Sequence, residues 1–281
     1  DKISESKNNE NESNNQNLNI NIKNLEAIIN DFNNNNSYLD KILVLPEKIE
    51  WVKDRVAITA RGGGEVYLID LNNKRFELQN IENIYAHKTS FCDDGSFALI
   101  GVQDRIWKIF MANEKEKNIF TVAQIDDNSD VDLSKDCSKI IYTTDTRVIS
   151  TNPQTLENKT IFDGENNKTP YYNNRIPTRL KFSKDGRKIL LTLKEKKDYN
   201  LYIMNSDGSK LEKLVEGKIS LPVWRNDHEI LFTQRIQDNR EVFSYDLIKK
   251  GIPKRISYNN IQETSISVSD DGNLLLLCGD R

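Results

Sequence analysis

Apolar and polar residues alternate over short stretches of this chain, and one layout returns six times. Each copy has a short apolar strand, a polar turn around an aspartate, and a second apolar strand. Alternation over roughly four to eight residues between turn signals is typical of half-buried β-strands. The copies cover residues 49–58, 89–100, 131–142, 180–191, 222–232 and 266–277.

The turn aspartates of these copies set a regular period. They are Asp54, Asp94, Asp136, Asp185, Asp227 and Asp271, at intervals of 40, 42, 49, 42 and 44 residues. About 40–45 residues is the length of one four-stranded propeller blade. A third and a fourth strand of alternating character follow each of the first five hairpins. The period therefore predicts an all-β, six-bladed β-propeller with four-stranded blades over residues 18–281.

The sixth hairpin ends the chain without a third or a fourth strand. Residues 18–23 (LNINIK) match a third strand and residues 25–29 (LEAII) match a fourth strand. We therefore expect the last blade to be closed by strands from both termini, which removes the open sheet edges of a linear array. A short helix over residues 18–31 is the competing interpretation.

The first 17 residues (DKISESKNNENESNNQN) are almost entirely polar. Such a segment cannot bury enough apolar surface to offset the entropy lost on ordering, so we interpret residues 1–17 as a disordered tether. The chain begins at Asp1 rather than Met. We expect a lipidated cysteine directly upstream of Asp1, as in bacterial lipoproteins; an ordinary disordered end of a cytoplasmic protein is the alternative.

Composition excludes some classes of function. The formal net charge is −3, and the sequence lacks the basic excess of a nucleic-acid binder. Its three cysteines have no short spacing that would indicate a disulfide framework or a zinc site, so we expect three unpaired buried residues. Its two histidines, His87 and His228, fall in separate loops, and no G-x-S-x-G motif is present. We therefore expect no catalytic residue, no metal and no cofactor.

One blade carries a specific motif. Residues 182–191 (FSKDGRKILL) followed by residues 200–214 (NLYIMNSDGSKLEKL) resemble the repeat of TolB-type, WD-like propellers. The motif is recognisable around Asp271 and Asp94 and degenerate elsewhere. The resemblance implies a six-bladed propeller. The best-known member of that family is a periplasmic scaffold that contacts other envelope proteins, whereas other relatives carry hydrolase or sensor domains.

The loops that join the second and third strands carry repeated cations. These are Arg61, Arg105, Arg147, Lys194, Lys196, Lys197, Arg235, Arg240 and Arg281. Because these loops meet at one mouth of the channel, the pattern predicts a cationic ring that binds an anionic ligand or an acidic surface. Aspartates one to three residues away offer the alternative of local ion pairs.

The longest connection between blades, residues 164–178, contains Tyr171, Tyr172 and Arg175. Tyrosine and arginine are favoured at interface hot spots, so this loop is a candidate contact site. Alternatively, the tyrosines pack on the propeller face and only hold the loop.

These observations favour a monomeric, non-enzymatic, extracytoplasmic scaffold at the bacterial cell surface. Its expected partner is a protein of the cell envelope or an anionic surface polymer, and it reaches the membrane only through a lipid anchor upstream of Asp1. The alternative is a carbohydrate-active or hydrolytic enzyme with its site at the channel mouth.

Overall fold

The computed structural model describes residues 21–24, 46–53, 55–60, 65–70, 75–79, 81, 83–116, 118–165, 175–258 and 262–280. These residues form β-strands joined by turns and contain no helix. A membrane-spanning helix is accordingly not found within these ranges.

Five sheets each contain four antiparallel strands that follow one another along the chain. Blade 1 contains β2 (Pro46–Val52), β3 (Arg55–Ala60), β4 (Val66–Asp70) and β5 (Arg75–Gln79). Blade 2 contains β6 (Tyr85–Phe91), β7 (Phe97–Gln103), β8 (Ile106–Asn113) and β9 (Asn118–Gln124). Blade 3 contains β10 (Val131–Leu133), β11 (Ile140–Thr144), β12 (Arg147–Thr151) and β13 (Asn158–Asp163). Blade 4 contains β14 (Ile176–Phe182), β15 (Lys188–Glu195), β16 (Asp198–Asn205) and β17 (Glu212–Val215). Blade 5 contains β18 (Ile219–Trp224), β19 (Glu229–Ile236), β20 (Asn239–Asp246) and β21 (Lys254–Arg255).

The sixth sheet contains three described strands, β1 (Asn21–Asn24), β22 (Gln262–Val268) and β23 (Leu274–Asp280), in the order β1-β23-β22. The prediction of four-stranded antiparallel blades is thus confirmed, but five such blades are seen rather than six. β1 lies beside β23 as expected, yet it pairs in parallel, whereas a third blade strand runs antiparallel. No hairpin joins these two strands, so no tight turn dictates their relative direction. The predicted fourth strand at 25–29 and the tether at 1–17 lie outside the described residues.

The sheets pack in a ring around a channel. The innermost strands β2, β6, β10, β14, β18 and β22 contact one another in that order, and β22 contacts β2 again. Apolar side chains fill the five seams from blade 1 round to the sixth sheet, for example Leu99 between blades 1 and 2 and Ile189 between blades 3 and 4. The polar residues of the innermost strands therefore line the channel.

Four of the predicted turn aspartates, Asp94, Asp136, Asp185 and Asp271, accept hydrogen bonds within their own turns, whereas Asn226 rather than Asp227 does so in blade 5, and Asp54 lies outside the described residues. Asp185 accepts hydrogen bonds from the Ser183 hydroxyl at 2.6 Å and from the Arg187 N–H at 3.0 Å. In the last hairpin, the Ser269 hydroxyl, the Asn273 N–H and the Asn273 side-chain amide donate to Asp271 and lower the pKa of its carboxyl to about 2. A side-chain carboxylate that accepts from the backbone two residues on defines an Asx turn.

The expectation of three unpaired cysteines is wrong, because Cys92 and Cys137 form a disulfide across 45 residues of sequence. Cys92 occupies the place that Ser134 and Ser183 hold in their own turns. Cys137 occupies the glycine place of the Asp-Gly turn and keeps the positive φ of that place, 60°. The ring brings these two hairpin turns, in blades 2 and 3, side by side, which sequence distance does not reveal.

Candidate functional site

A β-bulge lies near the start of five of the six innermost strands. The pairing register shifts at Pro46/Lys48, Ala86/Lys88, Pro177/Arg179, Ser220/Val223 and Glu263/Ser265. A bulge inserts an extra residue and redirects the neighbouring side chain. In four of these strands the shift comes just before the residue six places ahead of the turn aspartate; in blade 5 it includes that residue. The six residues at this place of the repeat form one layer around the channel.

We call these residues the upper layer; it lies at the end of the channel formed by the loops between second and third strands. Its members are Lys48, Lys88, Asp130, Arg179, Leu221 and Ser265. Lys88 Nζ lies 3.5 Å from Asp130 Oδ1, and Arg179 Nη1 lies 4.0 Å from the same oxygen. Three cations therefore surround one carboxylate, and the layer carries a net positive charge.

The middle layer, four places before the turn aspartates, closes the channel. Its members are Glu50, Ser90, Asp132, Lys181, Val223 and Ser267. Lys181 Nζ of blade 4 lies 2.8 Å from Glu50 Oε1 of blade 1 and 2.7 Å from Asp132 Oδ1 of blade 3. Because blades 1 and 4 face each other across the ring, this ion pair spans the channel and forms a floor.

Hydrogen bonds hold the layers together from blade to blade. The backbone N–H of Phe182 donates to Asp132 Oδ2 at 2.7 Å, and that of Leu180 donates to Asp130 Oδ2 at 3.0 Å. The N–H of Trp51 donates to the Ser267 hydroxyl at 2.9 Å. Acidic and hydroxyl residues in the channel thus satisfy buried backbone donors of the next blade.

The charged groups of the channel shift one another's pKa. Burial opposes ionisation of Glu50, but Lys181 and Lys48 outweigh it, so the pKa of this carboxyl lies below its ordinary value. Burial likewise opposes the charge on Lys181, but Asp132 and Glu50 raise its pKa above the ordinary value. Both shifts favour the charged forms of Glu50 and Lys181 in the floor.

Ion pairs and hydrogen bonds also link the blades at the lower end of the channel. Lys135 Nζ of blade 3 lies 3.2 Å from Asp270 Oδ1 of the sixth sheet and 3.6 Å from Asp93 Oδ1 of blade 2. Lys184 Nζ donates to the Asp270 carbonyl at 2.5 Å. The contacts of Lys135 and Lys184 with Asp270 join blades 3 and 4 to the sixth sheet across this end of the channel.

A cavity of about 670 Å³ opens at the upper end, between blades 4 and 5. We call it the mouth cavity. Its described lining contains six cations and no carboxylate: Arg179, Lys194, Lys197, Lys218, Arg235 and Arg240, with Asn128, Ile176, Thr178, Tyr199, Ile219 and Ser220. Arg235 lies 3.8 Å from Asp238, an exposed pair that is weak in water. Pockets of about 300–1,000 Å³ hold small ligands or short segments.

The structure brings together part of the predicted cationic ring. Arg240 lines the mouth cavity with Lys194, Lys197 and Arg235. Arg105 does not line it; it occupies an exposed turn with φ of 66°. Arg147 is also outside the cavity, and its Nε lies 3.5 Å from Asp163 Oδ2 rather than pairing with the adjacent Asp145.

The structure places Arg175 in a buried cluster. Its Nε lies 2.8 Å from Glu195 Oε1, and its guanidinium lies 5.5 Å from the centre of the Tyr202 ring. The Tyr202 hydroxyl also donates to Glu195 Oε1 at 2.7 Å. Arg175 therefore anchors the end of the long loop to blade 4. Tyr171, Tyr172, Arg61 and Arg281 lie outside the described residues.

Sequence reasoning missed Lys48, Lys88, Arg179 and Lys218. The first three share one place in the repeat, six residues before the turn aspartate, and that shared place is a usable signal. Strand alternation puts this place on the same face as the middle layer, but only the closed ring shows that this face lines the channel. Lys218 lies in the connection to β18, and no repeat position identifies it.

Comparisons with known proteins support the architecture. No family model matches the chain, and no curated protein matches it. A putative TolB from Agrobacterium tumefaciens aligns with a TM-score of 0.68 and 15% identity, covering 85% of this chain and 91% of that one. TolB from Acinetobacter baumannii aligns with a TM-score of 0.60 and 15% identity, covering 75% of this chain and 54%, about half, of that one. An oligogalacturonate lyase in complex with manganese aligns with a TM-score of 0.59 and 11% identity, covering 75% and 64%. These likenesses, together with the blades described above, show that this chain has a TolB-type β-propeller fold.

Proposed function

We propose that this chain is a non-enzymatic scaffold that binds an acidic segment of a partner protein in the mouth cavity. The mouth cavity carries the proposal, because its described lining has six cations and no carboxylate. A concave surface of one charge sign concentrates the field and attracts an opposite charge.

Several of these cations have no structural role that would explain them. Lys197, Lys218 and Arg240 form no ion pair with any described residue, in contrast to Lys181 and Lys135 lower in the channel. Clustered like charges oppose folding through mutual repulsion. An anionic ligand supplies the missing counter-charge.

A protein partner suits the fold better than a polymer does. The resemblance to TolB-type propellers implies a scaffold that contacts envelope proteins, and the chain shares their fold. An anionic surface polymer could supply the same negative charge, and protease treatment distinguishes such a polymer from a protein partner.

The disulfide supports an extracytoplasmic location. Cys92 and Cys137 are paired, and such bonds persist mainly in oxidising compartments. We also propose that residues 1–17 tether the propeller to a lipid anchor at the cell surface. Alkylation of thiols in freshly broken cells tests the location: protection of Cys92 and Cys137 is expected, and full labelling contradicts it.

We further propose that the ring has six blades, the last completed by the N-terminal segment. β22 seals the ring against β2, where the Ile49 N–H donates to the Ser265 hydroxyl at 3.0 Å. Deleting residues 1–30 is expected to lower the thermal unfolding midpoint, because it uncovers an edge of β23. An unchanged midpoint contradicts this closure.

Capture from a cell-envelope fraction of the source organism tests the proposed function. The double variant Lys197→Gln/Arg240→Gln removes two cations from the mouth cavity. The matched control, Lys139→Gln/Arg187→Gln, removes one lysine and one arginine from exposed hairpin turns at the other end. We expect the unmodified protein and the control to capture the same partner, and the mouth variant to lose it.

Equal capture by all three proteins contradicts the proposal. Protease treatment of the envelope fraction identifies the source of the charge. Loss of capture after protease indicates a protein, whereas capture that survives protease indicates an anionic polymer and overturns the choice of a protein partner.

A further inference from the structure

A second, smaller cavity lies inside the channel, directly above the Lys181 floor. It has a volume of about 110 Å³, and all six upper-layer residues line it. We call it the recess. It shares Arg179 with the mouth cavity, so the two cavities lie next to each other.

The recess has an excess of positive charge. Lys48 Nζ donates to the Thr89 carbonyl at 2.5 Å, and Lys88 Nζ donates to the Ser129 carbonyl at 2.7 Å. Each ammonium group has three N–H donors, so donors remain beyond these bonds. The recess lining contains four cations, Lys48, Lys88, Arg179 and Lys181, and two carboxylates, Glu50 and Asp130, so positive charge remains in excess.

The pKa shifts agree with this geometry. Burial, Arg179 and Lys48 lower the pKa of Lys88, and Asp130 compensates only in part. For Asp130, burial acts against ionisation, but Lys88, Arg179 and Lys48 prevail and lower its pKa. The layer therefore favours a further negative charge.

The opposite wall of the recess is apolar and contains a strained residue. Blade 5 contributes Leu221, Pro222 and Val223, and its upper-layer and middle-layer places are apolar, whereas those places are polar or charged in the other sheets. Leu221 has φ of 47°, in the left-handed region that non-glycine residues rarely adopt. Strain of this kind clusters at ligand-binding sites.

We propose that the recess binds one oxyanion, a carboxylate or a phosphate group, between Lys48, Lys88 and Arg179. A small apolar group attached to this oxyanion lies against Leu221 and Val223. The volume corresponds to about four waters at roughly 30 Å³ each, which admits one such group and excludes a larger one. The inference does not depend on the proposed partner, since small oxyanions are titrated without it.

Calorimetric titration with sodium phosphate and with sodium acetate, at constant ionic strength set by sodium chloride, tests the proposal. Lys88→Met removes one cation and is expected to weaken binding about tenfold, the loss typical of one charge-assisted hydrogen bond. Asp130→Asn removes the competing carboxylate while keeping an acceptor for the Leu180 N–H, and it is expected to tighten binding. Lys139→Met, on an exposed turn, serves as the charge-matched control and is expected to bind like the unmodified protein.

The opposite signs of these two effects separate binding from mere structural damage. Lys88→Arg keeps the charge and is expected to retain binding even if Lys88→Met folds poorly. Tighter binding of acetate identifies a carboxylate ligand, and tighter binding of phosphate identifies a phosphate ligand. The proposal is overturned if neither anion binds, or if Lys88→Met and Asp130→Asn shift the affinity in the same direction.

The variant Lys197→Gln/Arg240→Gln distinguishes this site from the mouth cavity. It is expected to lose the captured partner and to keep phosphate or acetate binding close to that of the unmodified protein. If this variant loses small-anion binding while Lys88→Met binds the anion like the unmodified protein, the anion lies in the mouth cavity. That result would overturn the proposed site in the recess.

Discussion

The two ends of the channel differ in how their cations are paired. At the lower end and at the floor, cations are paired across the ring, Lys135 with Asp270 and Lys181 with Glu50. At the upper end, cations outnumber carboxylates, and Lys197 and Arg240 have no ion-pair partner among the described residues. Paired charges hold facing blades together, whereas unpaired cations produce a positive electrostatic potential that attracts an anionic ligand. The difference depends only on which place of the repeat each charge occupies.

Removing the central cation of the floor has the largest expected effect on this contrast. Lys181→Met leaves Glu50 and Asp132 buried without their counter-charge, and we expect a loss of about 3–5 kcal/mol in the free energy of unfolding. Urea denaturation measures it. The triple variant Glu50→Gln/Asp132→Asn/Lys181→Met is expected to recover most of the loss, because no buried charge remains. A loss under about 1 kcal/mol for Lys181→Met would show that the floor is hydrated rather than a buried triad.

The disulfide at the lower end is expected to have the next largest effect. Cys92→Ser/Cys137→Gly restores the serine and the glycine that other blades have in their turns and opens a loop of 45 residues. The loop-entropy model predicts a loss of about 4 kcal/mol, and the restored turn offsets about 1 kcal/mol of it. Thermal unfolding with and without reductant measures the difference. Reductant should lower the thermal unfolding midpoint of the unmodified protein and leave that of the variant unchanged. Equal midpoints of the unmodified protein with and without reductant would contradict a stabilising role of the disulfide.

Lowering the pH is expected to reduce the stabilising contribution of the floor, with a smaller effect than either of the preceding variants. The pKa of Glu50 in the folded protein lies below its ordinary value of 4.5, so the unfolded chain takes up this proton first. The stabilising contribution of Glu50 is complete above about pH 4.5 and is lost as the pH falls through the folded pKa. Between pH 6 and pH 3, the unfolding free energy of Glu50→Gln should fall less steeply than that of the unmodified protein. The exposed control Glu157→Gln should keep the slope of the unmodified protein, and parallel curves for all three would refute this role for Glu50.

Neutralising the upper end should have the smallest effect on stability. Lys197→Gln and Arg240→Gln break no ion pair with a described residue, so each is expected to change the unfolding free energy by less than about 0.5 kcal/mol. Relief of repulsion among neighbouring cations favours a small gain. Urea denaturation of these two variants, run in parallel with that of Lys181→Met, measures the contrast directly. A loss above about 1 kcal/mol would mean that these cations serve the fold rather than a ligand.

The repeat predicted the blades well because the signals that carry it are local. An apolar strand, an aspartate turn and a second strand need only neighbours in sequence, and Asp94, Asp185 and Asp271 all form their expected turns. The closing of the ring is not local. β1 comes from the far end of the chain, so the direction of its pairing with β23 followed from contacts that no turn residue encodes.

The candidate site was only partly predictable. Loop cations such as Arg240 were visible because loop positions follow from the repeat. Arg147 was grouped with them, yet Asp163 on the adjacent strand β13 pairs with it. Lys88 and Arg179 lie on innermost strands rather than in loops, and only the closed ring shows which face of those strands lines the channel.

The sequence by itself determined the blade length, the four-stranded sheets and the aspartate turns, since period and turn chemistry are properties of neighbouring residues. It also contained the signal for the disulfide, a cysteine in the serine place of one turn and a cysteine in the glycine place of the next. Only the tertiary structure decided which of these residues meet. Closing the ring sets Lys181 against Glu50 across 131 residues and leaves Arg179, two places earlier, among cations. The physical reason is that charges act through distance in space, and the ring, not the chain, sets that distance.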